Sequence, residues 1–236
     1  MPIPKIIIQT HKDPSISANC RQTWINFHSD YVYRFFNDAE CRQFFIDKMP
    51  SMLASYDKLP LPVQKADLFR YAAIYFYGGI YADVDTICLA PVHTYIDMNK
   101  DHLVVGVEMT PAIFKEGIDN YVTKYHSPSQ ILQWNFAASA KHPALGKLLS
   151  QIKFLLSLNS YEEIISYSQN IRFTLELTGP MCFSQVLYSF LSVPRESKVT
   201  ILPQLTWGYH PIENNDISLP NPNIKALHLY HGSWKT

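Results

Sequence analysis

The chain has 236 residues, 20 basic and 20 acidic side chains, 47% hydrophobic content and 17% charged content. This composition excludes a disordered chain and suits one ordinary domain, read as residues 1–236, with a sizeable core. A formal net charge of +0 argues against a nucleic-acid partner, because backbone phosphates demand a concentrated positive surface. Cys20, Cys41, Cys88 and Cys182 have no C-x-x-C spacing and read as reduced, buried thiols of a cytoplasmic protein. No signal peptide opens the chain and no apolar run reaches transmembrane length, although a peripheral membrane contact is compatible with this sequence.

Lys5 to Gln9 is a continuous apolar run behind Pro4, the pattern of a central strand covered on both faces. Ligands of open α/β sheets lie beyond the carboxyl ends of strands, which puts Gln9, Thr10 and His11 within reach of a nucleotide. Ser15 to Phe27 reads as a helix capped by Ser15 or Ser17 with Trp24 inward. Tyr31 to Phe36 reads as a second strand ending at the Asn37-Asp38 cap, followed by helices over Ala39–Lys48 and Ser51–Tyr56. A further helix follows Pro60 and Pro62 and stops at Gly78-Gly79. Asp67, Arg70, Tyr71 and Ile74 share one of its faces, and apolar residues cover most of the rest, so it should be largely buried. A buried Asp and Arg must pair or meet a polar ligand.

Ile80-Tyr81-Ala82 is then a short buried strand running into Asp83-Val84-Asp85. Residues i and i+2 of a strand point the same way, so the two carboxylates are expected to converge. Converging anions call for a raised pKa or a bound cation, and a hard divalent ion such as Mn²⁺ or Mg²⁺ suits oxygen ligands. Thr86 to Leu89 and Leu103 to Val107 read as further strands, and Thr110 to Ser129 as a loop that closes over the site or shapes an acceptor pocket. Ala144–Leu158, Glu162–Ser168 and Met181–Leu191 read as helices, Thr200–Leu202 and Thr206–Tyr209 as late strands or edge pieces, and Pro211–Pro222 as a loop. Near the end, alternation puts Leu227 and Leu229 on one face and His228 and Tyr230 on the other.

The run A-D-L-F-R-Y-A-A-I-Y-F-Y-G-G-I-Y-A-D-V-D resembles the signature of DXD-containing sugar transferases of glycosyltransferase family 32. The opening I-P-K-I-I-I-Q-T-H is similar to that family's I-P-K-I-I-H-Q-T-W, with Ile8 in place of its His and His11 in place of its Trp. The resemblance implies a GT-A-type α/β fold with a mixed sheet flanked by helices. It also implies transfer of a sugar, with retention, from a UDP- or GDP-linked donor to a hydroxyl of a glycan or glycolipid acceptor, as in polysaccharide biosynthesis.

By the same resemblance, Asp83, Asp85 and His228, or alternatively His231, hold the manganese or magnesium ion. Asp67 and Arg70 hold donor hydroxyls and count with the two motif aspartates as catalytic. Asn135, found in the family near a strand start, contacts the donor sugar, and Tyr81 lines the donor pocket. Thr178-Gly179-Pro180 opens a helix toward the donor, and Ser233 and Trp234 contact its phosphates. His142, before Pro143, reads as a local structural residue. Two rival readings stand beside this one. A phosphatase that opens on D-x-D requires Thr or Val four positions after the first Asp, where Ile87 stands. A catalytically silent sugar-nucleotide or glycan-binding module on the same fold is the alternative.

Overall fold

The computed structural model describes residues 1–194, 196–209 and 221–231. The chain first lays down β1 (Ile6–Thr10), α1 (Ala18–Phe27), β2 (Val32–Phe36), α2 (Asp38–Lys48), α3 (Pro50–Lys58), α4 (Pro62–Tyr77), β3 (Gly79–Ala82) and β4 (Thr86–Cys88). It continues through β5 (Leu103–Met109), α5 (Ile118–Tyr125), β6 (Gln130–Ala138), α6 (Pro143–Ser157), α7 (Tyr161–Tyr167), α8 (Ile171–Leu177) and α9 (Pro180–Leu191). β7 (Val199–Leu202), α10 (Gln204–Trp207) and β8 (Ala226–His228) follow.

One six-stranded sheet has the order β2-β1-β3-β6-β5-β7, and β4 pairs with β8 in a separate two-stranded sheet. β1 runs parallel to β2 and β3, whereas β6 is antiparallel to both β3 and β5. The architecture is therefore mixed α/β, as expected. The apolar runs of the strands are continuous because the sheet is covered on both sides. Ile8, Tyr81, Val105 and Phe136 pack under α4, α6 and α9, while their neighbours Ile7, Ile80, Val104 and Ala137 pack with Trp24, Trp134 and Trp207. Among the described residues no helix is long and apolar enough to cross a membrane.

The junction between α4 and β3 is set by two glycines. Gly78 and Gly79 have φ of 69° and 105°, and a Cβ at Gly79 would lie 2.5 Å from the Ile6 carbonyl oxygen. Only glycine lets the helix stop and the next strand drop beside β1.

Several local expectations need correction. The stretch from Thr110 to Ser129 is not all loop: α5 forms inside it, held by Tyr121, which is fully buried against Phe114 and Tyr125. One inward side chain in eight residues leaves little periodicity to read. Thr206 to Tyr209 is not a strand, because α10 starts after Pro203 and turns Trp207 into the core, where its indole N–H donates to the Tyr95 hydroxyl at 3.1 Å. Ser17 stands at the start of α1 with a φ of 50° and makes no side-chain cap, and Ser15 spends its hydroxyl on Asp13 at 2.7 Å. Tyr230 does not continue the alternation from His228, since its φ is 50°. Most of the expected loop at Pro211–Pro222 lies outside the described residues.

Candidate active site

The site begins on α4. Asp67 has no exposure and Arg70 is 6% exposed. The guanidinium bridges two carboxylates, 3.2 Å from Asp67 Oδ1 and 3.3 Å from Asp83 Oδ1. It also stacks 5.0 Å from the centre of the Tyr81 ring, whose hydroxyl donates to Asp83 Oδ1 at 2.7 Å. Asp67 is fastened further by Thr178 Oγ1, donating to Oδ2 at 3.0 Å, and by Gln133 Nε2, donating to Oδ1 at 3.1 Å. Burial opposes the charge on Arg70, but Asp83, Tyr81 and Asp67 outweigh it and hold its pKa above the ordinary value. Burial pushes the Asp67 carboxyl up to about 7 against the pull of Arg70 and Thr178.

The Asp-x-Asp segment itself is a turn. Asp83 follows the last residue of β3, and the Thr86 N–H donates back to its carbonyl at 3.2 Å. The two carboxylates thus converge through a turn between β3 and β4, not through the strand pleat the sequence suggests. Trp24 fixes that turn, because its indole N–H donates to Thr86. β8 pairs antiparallel with β4, bringing His228 opposite Thr86 and its Nε2 to 3.2 Å from Asp85 Oδ1. The backbone N–H of His231 donates to Asp85 Oδ2 at 3.0 Å. Burial raises the Asp85 pKa, yet His228 and this N–H more than offset it and hold the carboxyl below its usual range.

Ligand atoms of Asp83, Asp85 and His228 lie within 4.8 Å of one another. A cation with bonds of about 2.1 Å spans about 4.2 Å between opposite ligands, so small side-chain movements would close this set. Two carboxylates and an imidazole fit Mn²⁺ well and Mg²⁺ less well, since nitrogen suits the transition ion.

β6 supplies the other wall. Val105 faces Phe136 while Val107 faces Ile131, so β6 advances five residues where β5 advances two. This irregularity spans Gln133, Trp134 and Asn135 beside the end of β3, where the Trp134 carbonyl accepts the Asp83 N–H at 2.8 Å. Asn135 lies within the strand, not near its start, and is fully buried with neither amide atom bonded among the described residues. A buried amide without partners is costly, and a ligand hydroxyl would relieve it.

Other expected residues turn inward. The Gln9 amide donates to the Asp83 carbonyl at 3.1 Å and accepts from the Tyr33 hydroxyl at 2.8 Å. Thr10 Oγ1 donates to the Phe36 carbonyl at 2.8 Å, and His11 Nδ1 accepts the Asp13 N–H at 3.0 Å. Thr178 is buried with its hydroxyl on Asp67, and Gly179 packs against the backbone of Leu175. His142 caps α6, accepting the Ala144 N–H at 3.3 Å. Ser233 and Trp234 lie outside the described residues. A cleft of about 300 Å³ opens beyond β1, lined by Thr10, Asp38, Arg42, Tyr56, Lys65 and Ala66. A larger one of about 710 Å³ lies at the amino end of β1, beneath Ile3 and Lys5 and away from these groups.

Sequence reasoning missed Gln133 and Glu108. Gln133 stands two residues before Asn135 in the same strand and Glu108 is the charge near the end of apolar β5, but the irregular β5–β6 pairing is what brings them to the site.

Residues 14–103 match the family model described as the glycosyltransferase sugar-binding region containing the DXD motif. That segment contains Asp67, Arg70, Asp83 and Asp85.

Over that segment the chain is similar to the DXD-motif glycosyltransferases.

The chain is 30% identical to the initiation-specific alpha-1,6-mannosyltransferase of Schizosaccharomyces pombe, over 99% of its own length and 64% of the relative's. It is 24% identical to the Candida albicans protein of the same name, over 99% of its length and 72% of the relative's. The S. pombe inositol phosphoceramide mannosyltransferase 2 shares 40% identity over 36% of this chain and 26% of that one. The structure described as PaToxG glycosyltransferase superposes with a TM-score of 0.54 at 18% identity, covering 81% of this chain and 71% of that one. That likeness bears on the fold, which agrees with a GT-A architecture.

Proposed function

We propose that this protein moves a hexosyl group, with mannose favoured by its relatives' names, from a nucleoside-diphosphate donor to a hydroxyl of a glycan or glycolipid, with retention. One observation carries the reading: Arg70 ties the buried Asp67 to Asp83, beside the Asp85–His228 pair. A divalent cation held by Asp83, Asp85 and His228 would act as a Lewis acid toward the donor's diphosphate.

Asp67 and Arg70 are fixed by Thr178, Gln133 and Tyr81 before any ligand arrives, so they orient sugar hydroxyls at little reorganisation cost. Asn135 offers its unpaired amide to the same sugar. The base is assigned to the cleft between Thr10 and Ala66, adjoining Asp67 in sequence. In the transfer, the acceptor oxygen bonds to the sugar's C1 as the bond from C1 to the diphosphate oxygen breaks. The bonding electrons leave with the diphosphate, and the acceptor's proton goes to a diphosphate oxygen. The family resemblance supports retention, with attack and departure on one face of the sugar.

The test is Mn²⁺-dependent nucleotide release from UDP-glucose, UDP-galactose, UDP-N-acetylhexosamines and GDP-mannose. One donor should be hydrolysed, with a loss on the order of a thousandfold in Asp85→Ala. Binding of UDP or GDP without turnover would favour a silent binding module, and neither binding nor release would overturn the nucleotide-sugar reading.

A further inference from the structure

We propose that Glu108, at the end of β5, is an acceptor-binding residue of this site, holding hydroxyls of the incoming saccharide. The inference rests on the transfer reaction above and says where its second substrate docks.

The sheet order makes the argument. Reading from β1 through β3 and β6 to β5, the site passes from the cleft at Thr10 to the Asp83 turn, then to Gln133 and Asn135, and then to Glu108. The groups assigned to the donor end at β6. Glu108 stands one strand farther out and is half-buried.

Its surroundings are those of a carboxylate held ready for polyol hydroxyls. Gln130 Nε2, across the strand pair, donates to Glu108 Oε2 at 2.6 Å. Tyr230 also interacts with it, and the charge of His228 reaches it. Burial raises the Glu108 pKa, with these groups pulling the other way. The Trp134 indole N–H lies nearby but has no formed hydrogen bond, although Trp134 is only 3% exposed. Both aromatic rings pack on His228, Trp134 at 4.7 Å and Tyr230 at 4.0 Å between centroids. Glu108 is thereby tied to the imidazole opposite Asp85. An indole N–H aimed at this carboxylate but short of a formed bond leaves one donor and one acceptor side by side at a single point. A sugar diol, which carries both functions on adjacent carbons, matches that pair.

A purely bracing Glu108 would instead fasten Tyr230 and β8 to the main sheet, and the experiment separates the two roles. The Mn²⁺-loaded protein is assayed with its donor, with and without methyl α-D-mannopyranoside or α-1,6-mannobiose as acceptor probe. Transfer to the probe and release to water are followed in wild type, Glu108→Gln and Glu108→Asp. Losing a hydrogen bond to a charged group should lower the transfer-to-hydrolysis ratio of Glu108→Gln about ten- to a hundredfold, chiefly through the probe's KM, with partial rescue in Glu108→Asp. An equal fall in both rates together with a lowered melting temperature would overturn the proposal in favour of bracing. Probe binding by saturation-transfer NMR, in the presence of UDP or GDP, is measured alongside. Should no donor be hydrolysed, the transfer reading fails, yet probe binding lost in Glu108→Gln still supports the acceptor site. Absence of binding by wild type to either probe overturns it.

Discussion

Asp67 and Arg70 sit one helical turn apart, without side-chain access to solvent beyond 7%, and are tied down from three elements. Asp85 and His228 are 143 residues apart and meet where the short β4 and β8 pair at the margin of the main sheet. The first half of the site is organised by a helix already packed in the core. The second is completed only when the far end of the chain returns. On the proposed function, the sugar-holding groups are built where packing is dense, and the cation ligands where side chains can still close.

The largest effect that would sharpen this contrast is expected from Arg70→Lys. An ammonium cannot bridge Asp67 and Asp83 while stacking on Tyr81, so kcat/KM for donor turnover should fall on the order of a hundredfold. A loss of only twofold would show that the buried half is structural.

His228→Ala comes next. Two carboxylates survive, so the Mn²⁺ concentration for half-maximal rate should rise on the order of tenfold. His231→Ala should move it far less, because His231 reaches Asp85 through its backbone N–H. The reverse ranking would hand the third ligand to His231.

Asp67→Asn should give the smallest shift, seen in stability. Because the folded-state pKa of Asp67 is raised from 3.8 to about 7, the favourable contribution is complete below the lower value and lost as pH rises through the upper one. The variant cannot ionise there, so its melting temperature relative to wild type should climb between about pH 4 and about pH 7 and level off above. A flat difference would mean that Asp67 is already ionised throughout.

What could be read in advance follows the same division. From Asp67 to Asp85 the information is local: helix face, glycine stop, buried strand and acidic turn lie within nineteen consecutive residues, from 67 through 85. The convergence of the aspartates was legible but not its cause, since a turn held by Trp24 and Thr86 replaces the pleat. Thr178 was legible as a helix start, but its bond to Asp67 depends on a contact 111 residues away. Gln133 and Glu108 owe their places to the irregular β5–β6 pairing, which no single strand's pattern reveals. The helices α5 and α10 leave little pattern because each buries a single large aromatic, Tyr121 against nearby Phe114 and Tyr125, and Trp207 against Tyr95, 112 residues away.

The shared guanidinium of Arg70 has a thermodynamic consequence. A cation drawn to Asp83 competes with Arg70 for that carboxylate, and a donor hydroxyl on Asp67 competes for the other end of the same bridge. Whatever either ligand does to the position of Arg70 alters the free energy of the other, and linkage makes the two effects equal. The factor by which the ion changes donor affinity must therefore equal the factor by which the donor changes ion affinity, and the shared arginine adds its own share to any direct contact between ion and diphosphate.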